Sequence, residues 1–466
     1  MTTPTVTRPR AVLVGIQLPE VSDEEHASHM AELRRRVDTL GYESVATVSQ
    51  RRAGTGSGTV LGSGKLKELA RLTGGPGVVA SGAADRTSKA KERWEAEAEA
   101  AEAAEAAEDE GDEGEAEAGG AAQVVEGEKP TFVVVAHELS PSQLRNLEKA
   151  TGATVLDRTG VIVDIFHRHA RSREARMQVE IARLKYLSPR LRESAGRSER
   201  QQGRGAGDSA VELDRRKIRD RLAELTAGLA AVERDQDHRR YARREQLRVA
   251  LVGYTNAGKS SLMRALTGSE VLVADRLFAT LDTTVRALQP ESRPRVLVSD
   301  TVGFLRQLPH DLVASFRSTL DEALEASLLL YVVDASDPTF EAQLEVTRTV
   351  LRDIGAAEVP SLLLLNKIDK VEAKARRALK KKYPGAILLS AKAPEDVAAL
   401  RQAVLDFFEA QMVEAELLVP YAAQGRIAEI YETARVLSET FDEEGRHVRV
   451  RSMPAAIAKL TRSFEA

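Results

Sequence analysis

The feature that most constrains the fold is a glycine-containing loop between an apolar strand and a helix. The loop spans Gly253 to Ser260, follows the apolar run 248–252 and precedes the helical run 262–266. Its glycines let the backbone wrap closely, so that N–H groups and the positive end of the new helix can meet phosphate oxygens. Lys259 is expected to reach the terminal phosphates, and the Ser260 hydroxyl is expected to ligate Mg²⁺. All eight residues of this phosphate loop are predicted to contact a nucleotide: Gly253, Tyr254, Thr255, Asn256, Ala257, Gly258, Lys259 and Ser260.

A second motif selects the base. Asn366-Lys367-Ile368-Asp369 stands at the end of the apolar strand 361–365. A carboxylate at Asp369 can accept hydrogen bonds from the ring N–H and the exocyclic amine of guanine, whereas adenine would leave it unpaired at a high cost. Asn366 is expected to tie this loop to the phosphate loop, and Lys367 to lay its alkyl stem over the base. The motif therefore predicts a guanine nucleotide.

A third segment, Ser390-Ala391-Lys392, follows a further predicted strand at 386–389. It is expected to offer a backbone N–H to the guanine oxygen. Taken alone, the tripeptide says little.

The segment that ends the predicted strand 295–299 is expected to sense the third phosphate. It reads Asp300-Thr301-Val302-Gly303. Asp300 fits a carboxylate that holds Mg²⁺ through water, and the Gly303 N–H can contact the terminal phosphate. We therefore count Gly303, with Lys259, among the catalytic residues.

A segment between the two phosphate motifs is also expected to bind the nucleotide. Its residues are Phe278, Ala279, Thr280, Leu281 and Asp282. Thr280 is the best candidate for a hydroxyl that joins the Mg²⁺ shell when the third phosphate is present, which makes it both a catalytic residue and a metal ligand with Ser260. Thr283 and Thr284 are close rivals that the residues alone do not separate.

Phe304 stands directly after Gly303, where many regulatory GTPases carry a glutamine that orients the attacking water. Phenylalanine cannot orient water, so intrinsic hydrolysis is expected to be slow or to be completed by a group from elsewhere. A packing role for Phe304 is compatible with this expectation.

The pattern along the chain predicts an α/β protein of several domains. Short strands (11–18 and 131–136) alternate with helices (23–40, 64–72 and 141–150) in a first α/β domain. Strands at 248–252, 295–299, 328–333, 361–365 and 386–389 predict a parallel sheet with helices on both faces. A small α+β tail follows, with a helix at 425–440, a turn from Asp442 to Gly445, a strand at 447–451 and a last helix from Pro454.

Two apolar stripes predict a pair of antiparallel helices between these domains. Their members recur at steps of three and four: Met177, Ile181 and Leu184, then Ile218, Leu222, Leu225, Leu229 and Val232. The glycine-rich run 203–208 should form the tip between them. The region 168–248 holds 22 Lys or Arg against 13 Asp or Glu. That excess is typical of a solvated face or, on the sharper hypothesis, of a surface that binds nucleic acid.

The net charge of −4 conceals this basic region, because twelve acidic residues lie between Glu95 and Ala118. We interpret 84–128 as a solvated low-complexity insert. The chain has no cysteine, which excludes disulfides and thiolate metal sites. No apolar run is long enough to cross a bilayer. A cytoplasmic location is expected, with peripheral association at a membrane left open.

With these motifs the chain closely resembles the HflX family of bacterial ribosome-associated GTPases. The resemblance rests on GYTNAGKSSL (253–262), LFATLD (277–282), DTVGFLRQLPHDLVASFRSTL (300–320) and NKID (366–369). Outside the nucleotide motifs it rests on LSPSQLRNLE (139–148), VLDRTGVIVDIFHRHARS (155–172), QVEIARLKYLSPRL (178–191) and ELDRR (212–216). Because generic GTPases have no counterpart to these last strings, they make the resemblance specific.

The resemblance implies four parts: an N-terminal α/β domain (1–175), a helical hairpin (176–245), a Ras-like P-loop GTPase domain (246–412) and a C-terminal α+β domain (413–466). It implies a Mg²⁺-dependent GTPase that binds the 50S large ribosomal subunit and its rRNA through the hairpin tip. It further implies a role in ribosome splitting, rescue or recycling, or in subunit biogenesis. Ser260 and Thr280 would be the Mg²⁺ ligands, and we expect a monomer.

The sequence departs from the family at the hairpin tip. The family usually has Gly-Pro-Gly-Glu there, where this chain has Gly205-Ala206-Gly207-Asp208. Two other functions compete with the ribosomal one: a regulatory GTPase with a protein partner, and an RNA-remodelling NTPase.

Overall fold

The computed structural model describes residues 8–56, 58–79, 128–170, 172–195, 210–241, 246–268, 284–304 and 322–465. They divide into two compact units, one of residues 1–165 with 186–212 and the other of 166–185 with 213–466. The predicted hairpin tip (203–208) and the segment 278–282 lie outside the described residues, as does the predicted insert except for Glu128.

The first unit is built on a four-stranded, fully parallel sheet. Its strands are β1 (Arg10–Gln17), β2 (Glu43–Arg51), β3 (Phe132–Val135) and β4 (Thr154–Leu156), in the order β2-β1-β3-β4. Helices α1 (Asp23–Thr39), α2 (Ser63–Thr73), α3 (Pro141–Thr151) and α4 (Arg158–His169) alternate with them along the chain. The core includes Val12, Val14, Leu69 and Leu147, which are fully buried. The two predicted strands and the first three helices are confirmed; β2, β4 and α4 were not predicted.

Helix α3 shows how the sequence sets an element boundary. Ser140 caps its N-terminus by accepting from the Gln143 N–H, and the Gln143 side chain accepts from the Ser140 N–H. Gly152 ends the helix with φ 65°, a left-handed conformation that favours glycine. This reciprocal cap satisfies two backbone donors that would otherwise be orphaned at the helix start.

Two long helices follow, α5 (Arg173–Ala195) and α6 (Ala210–Tyr241). Arg221 of α6 donates to Glu180 of α5 at 2.8 Å. A Cβ on Gly228 would lie 3.3 Å from Met177 Sδ. Since the later residue of α6 meets the earlier residue of α5, the two helices run antiparallel here. Ile181 and Leu225 are buried, as the predicted stripes require.

A six-stranded sheet carries the phosphate loop. Its strands are β5 (Leu247–Val252), β6 (Thr284–Ala287), β7 (Val296–Asp300), β8 (Leu328–Asp334), β9 (Ser361–Asn366) and β10 (Ile387–Leu388), in the order β10-β9-β8-β5-β7-β6. Only β6 is antiparallel, to β7. The helices are α7 (Lys259–Thr267), α8 (Phe340–Asp353), α9 (Ala373–Lys382) and α10 (Pro394–Glu409). Buried residues form separate apolar clusters on the two faces, led by Leu251 and Leu262 on one and Ala250 and Leu329 on the other.

The C-terminal part is a three-stranded antiparallel sheet with two helices. The strands are β11 (Val413–Pro420), β12 (Arg435–Phe441) and β13 (Gly445–Ser452), in the order β11-β13-β12, and the helices are α11 (Ile427–Thr433) and α12 (Pro454–Glu465). The predicted helix 425–440 is wrong in its second half. After Thr433 the chain becomes β12, because its backbone pairs with β13 from Arg435↔Arg451 to Phe441↔Arg446. Within the described residues, no helix is long and apolar enough to span a membrane.

Candidate nucleotide site

The phosphate loop joins β5 to α7 with a backbone that only small residues allow at two points. Gly253 has φ 150° and Gly258 has φ 97°. A Cβ on Gly253 would lie 2.2 Å from the Val332 carbonyl oxygen, and one on Gly258 would lie 2.2 Å from Asn366 Nδ2. The loop is therefore pressed against β8, which pairs with β5, and against the end of β9, and its glycines are fixed by contact as well as by φ.

Lys259 is the first residue of α7, and its side chain folds back over the loop. The residue is 6% exposed. Its Nζ donates to the carbonyl oxygens of Gly253 and Tyr254, at 3.0 and 2.9 Å. Burial lowers the pKa of this amine from its usual value to about 8, while the carboxylate of Asp300 opposes the shift. An ammonium held among carbonyls gains much from an incoming phosphate, because phosphate supplies the charge that the site lacks.

Ser260 and Asp300 come from different elements and meet beside Lys259. The Ser260 hydroxyl donates to Asp300 Oδ2 at 2.7 Å. Asp300, the last residue of β7, is fully buried. A hydroxyl in contact with a carboxylate is an all-oxygen donor set, which suits Mg²⁺. These residues fit the predicted metal site: Ser260 would bind the ion directly and Asp300 would hold its water.

The segment after β7 is fastened to the phosphate loop by backbone pairing. Thr255 N–H donates to the Phe304 carbonyl at 2.9 Å, and Phe304 N–H donates to the Gly253 carbonyl at 3.1 Å. Phe304 itself is 3% exposed and packs with the cluster of Ala250 and Leu329. Its ring is a packing group, so it offers no polar atom to a water molecule. The sequence did not predict this backbone ladder.

Gly303 directly precedes Phe304 and has no room for a side chain. A Cβ there would be 2.8 Å from Thr255 Cα and 3.0 Å from Lys259 Nζ. Only a glycine therefore fits next to the amine that is expected to hold the terminal phosphates.

Asn366 joins the base loop to the phosphate loop, as the sequence predicts. Its Nδ2 donates to the Ala257 carbonyl at 2.8 Å, and its Oδ1 accepts from the Ala391 N–H at 3.2 Å. Asn366 is 1% exposed. One buried amide thus holds three segments together: the phosphate loop, the end of β9 and the loop after β10.

Asp369 is exposed and is oriented by the third segment. Its Oδ1 accepts from the Ser390 hydroxyl at 2.7 Å. That hydrogen bond, opposed by partial desolvation, holds the pKa of Asp369 below its usual value. Ile368 N–H also donates to the Leu389 carbonyl, at 3.2 Å. The carboxylate is therefore charged at neutral pH and offers acceptor oxygens at the surface where a base would lie.

Lys367 has a partner that the sequence did not predict. Its Nζ donates to Asp334 Oδ2 at 2.7 Å and to the Asn256 carbonyl at 2.7 Å. Lys367 has φ 58°, unusual for a residue with a Cβ. Asp334 is the last residue of β8, and its position at a strand end beside the phosphate loop was the available signal.

The structure brings together every described residue of the predicted site. The phosphate loop, Asp300 to Gly303, Asn366 to Asp369 and Ser390 to Lys392 all follow the carboxyl ends of β5, β7, β9 and β10. The predicted residues Phe278, Ala279, Thr280, Leu281 and Asp282 lie outside the described residues. Their rival Thr284 is the first residue of β6.

The low pKa of Lys259 predicts that GTP binding takes up protons to an extent that depends on pH. In the free protein most Lys259 amines are neutral above a pKa of about 8, whereas bound phosphates favour the ammonium. Affinity for GTP should therefore fall as pH rises above about 8. Calorimetry in buffers of different ionisation enthalpy should show clearly more proton uptake at pH 8.5 than at pH 7. Equal uptake at both values would contradict the assigned contact.

Family comparisons cover the chain from the first unit to β9. The family described as "GTP-binding GTPase N-terminal" matches residues 112–167, "GTP-binding GTPase Middle Region" matches 169–243, and "50S ribosome-binding GTPase" matches 248–367. The third match contains the phosphate loop and ends inside the Asn366–Asp369 motif.

Full-length relatives are similar over nearly the whole chain. The GTPase HflX of Gluconacetobacter diazotrophicus is 66% identical over 458 residues, which is 98% of both chains. The GTPase HflX of Escherichia coli is 39% identical over 339 residues, covering 70% of this chain and 79% of that protein. A crystal structure of a GTP-binding protein from Sulfolobus solfataricus in complex with GDP is 22% identical, with a TM-score of 0.42, and covers 85% of this chain and 98% of that one.

Proposed function

The chain belongs to the HflX family of GTPases and hydrolyses GTP, and we propose that it does so while docked on the large ribosomal subunit. The observation that carries the site assignment is the buried amide of Asn366, which bonds to the phosphate loop and to the Ser390–Lys392 segment. Because Asn366 joins these loops, a base would lie against the loop that carries Asp369, and the phosphates would lie against the loop that carries Lys259.

In this proposal each loop has one task. Asp369 accepts the two guanine donors, with Ser390 orienting its carboxylate. Lys259 leaves the carbonyls of Gly253 and Tyr254 for the terminal phosphates. The Gly303 N–H contacts the third phosphate. This contact couples the phosphate to the segment that contains Phe304, whose backbone is paired with Gly253.

The metal in this proposal is Mg²⁺, held by Ser260 and by Thr280, with Asp300 acting through water. When bound, Mg²⁺ supplies charge that neutralises the phosphate oxygens during transfer. The residue directly after Gly303 cannot orient water, because the ring of Phe304 has no polar atom and is buried in the apolar cluster. We therefore infer a slow intrinsic rate that a partner raises.

The ribosomal part of the proposal rests on the family and on charge. The matching family is described as ribosome-binding. The helices α5 and α6, with the segments next to them, hold the basic excess of 168–248. If the hairpin at 176–245 places its tip against rRNA, the excess basic residues would contact RNA phosphates, which supply most of the affinity in such complexes. Through this contact the chain would act in ribosome splitting, recycling or subunit biogenesis.

Large subunits are expected to raise the rate of GTP hydrolysis well above that of the chain alone. We expect a stimulation of at least about tenfold, because docking can supply the positioning that Phe304 does not. Steady-state phosphate release should be measured with 50S subunits, and with 30S subunits as the control. An unchanged rate with 50S subunits would contradict the proposed partner.

A regulatory GTPase with a protein partner is the second candidate, and one observation favours it. Arg221 is paired with both Glu180 and Glu224 on the helices, so part of the basic charge is already neutralised. Sedimentation with ribosomes at graded salt separates the two candidates, because binding through RNA phosphates weakens steeply as salt rises.

A further inference from the structure

Helix α9 carries the most concentrated positive charge among the described elements that flank the nucleotide loops. Its sequence, AKARRALKKK, has six Lys or Arg and no Asp or Glu. None of its residues is fully buried. Leu379 alone is half-buried and packs against the cluster of Phe340 and Tyr383. The helix thus rests on the domain by a narrow contact and turns the rest of its surface to solvent.

Three of these cations share one face, which we call the α9 stripe: Lys374, Arg377 and Lys381. At 100° per residue they lie within about 60° of one another and roughly opposite Leu379. All three are exposed. Over seven residues the stripe extends for about 10 Å along the helix. It therefore presents three positive charges in a row, directed away from the domain.

Two of the other cations of α9, Arg376 and Lys382, have local partners, but those of the stripe do not. Arg376 donates to the carbonyls of Val371 and Asp369, at 2.7 and 3.4 Å. Lys382 pairs with Glu341 on α8. Within the described residues, no side-chain hydrogen bond or ion pair involves Lys374, Arg377 or Lys381. The stripe is therefore not explained by folding contacts of the described part of the chain.

The helix itself is only partly stabilised by this arrangement. Cations are favourable in the last turn of a helix, which accounts for Lys381 and its neighbours, but Lys374 lies in the first turn, where the helix dipole disfavours positive charge. Arg377 and Lys381 are also four residues apart, a spacing at which like charges repel. A polyanion along the stripe would remove both penalties.

We propose that the α9 stripe docks on the phosphate backbone of large-subunit rRNA. The inference deepens the proposed function, on which it rests, by naming a second contact surface on the GTPase domain. Three exposed cations in a row match a chain of regularly spaced phosphates. A membrane surface fits less well, because the outward face of α9 carries no large apolar side chain to insert between lipids.

Helix α9 is tied to the base site through Arg376, which lies outside the stripe. That side chain donates to the Asp369 carbonyl, so the helix is connected to the loop that carries the guanine carboxylate. RNA docked on the stripe would therefore contact a helix that is bonded to the segment that reads the base. The contact is expected to add affinity for the subunit without changing hydrolysis by the free chain, since no stripe residue belongs to the nucleotide site.

The test compares two triple variants with equal change of charge. The stripe variant carries Lys374→Gln, Arg377→Gln and Lys381→Gln. The control carries Arg295→Gln, Arg435→Gln and Arg449→Gln, three exposed arginines that are paired with Glu291, Glu409 and Glu414. Affinity of the full chain for 50S subunits is measured by sedimentation, with a non-hydrolysable GTP analogue, across a series of KCl concentrations. Basal GTP hydrolysis is measured for each protein.

The stripe variant should bind more weakly, and the slope of log affinity against log salt should flatten by about 2 to 3, one phosphate contact contributing about 0.7 to 0.9. The control should keep the slope of the unmodified chain, and all three proteins should hydrolyse GTP at the same basal rate. Equal slopes for the two variants would overturn the α9 contact alone. Failure of the unmodified chain to sediment with subunits would overturn the proposed function itself. Stripe-dependent binding to phosphatidylserine vesicles with an unchanged subunit slope would overturn the choice of RNA.

Discussion

Asp369→Asn is expected to change the preferred base of this GTPase from guanine to xanthine. An asparagine keeps one acceptor for the ring N–H but places an amide donor where the carboxylate accepted the exocyclic amine of guanine. Two donors then face each other, and affinity for GTP should fall at least about 100-fold, because a mispaired polar group in a site is costly. Xanthine has a carbonyl in place of that amine, so XTP should bind the variant well.

The structure indicates that this substitution leaves the geometry of the loop unchanged. Ser390 donates to Asp369 Oδ1, and an asparagine oxygen at the same position can accept the same bond. The loop geometry should therefore be preserved, and binding of XTP would itself show that the site of the variant is folded. Competition between fluorescent GDP and unlabelled GTP or XTP gives both affinities. An undiminished GTP affinity, or a folded variant that binds neither nucleotide, would remove Asp369 from the base site.

Lys259→Met should abolish nucleotide-dependent activity while leaving the free protein stable. The ammonium is the only side chain of the described site that is buried beside the phosphate loop with a positive charge, so its loss should lower kcat/KM at least about 100-fold. Methionine fills similar volume without the cost of burying a charge. The two carbonyls that Lys259 contacts also keep backbone donors: Phe304 N–H for Gly253 and Ala257 N–H for Tyr254.

Thermal unfolding of this variant without nucleotide should therefore differ from that of the unmodified chain by no more than about 1 kcal/mol in free energy. Arg264→Met is the matched control, because Arg264 is exposed on the same helix. The control should bind and hydrolyse GTP normally. A Lys259→Met protein with near-normal kcat/KM would show that the phosphates lie elsewhere.

The parts of the fold that could be predicted are those with local signals. Five of the six strands of the GTPase sheet are apolar runs close to motif residues, and the structure places them within one or two residues of the prediction; β6 was not predicted. Strand β12 could not be predicted in this way. Its residues continue the spacing of Ile427 and Ile430, and only pairing with β13 makes 435–441 extended. Strand β2 has a single fully buried residue, Val48, so its apolar pattern is weak.

The site shows the same division between local and tertiary information. Motif spacing predicts the residues, since the chemistry of a phosphate loop requires Gly, Lys and Ser in fixed register. It could not show that Asp334 holds Lys367, or that Phe304 pairs by its backbone with Gly253 and Thr255. Those contacts join residues about 30 to 50 positions apart, which no local pattern encodes.

A crystal structure with Mg²⁺ and a non-hydrolysable GTP analogue would locate the nucleotide. We expect the guanine ring against the carboxylate of Asp369, the terminal phosphates on the Lys259 ammonium, and the metal on the Ser260 hydroxyl. Density for the analogue at any other place, with the loops around Asn366 left as they are in the free chain, would contradict this expectation.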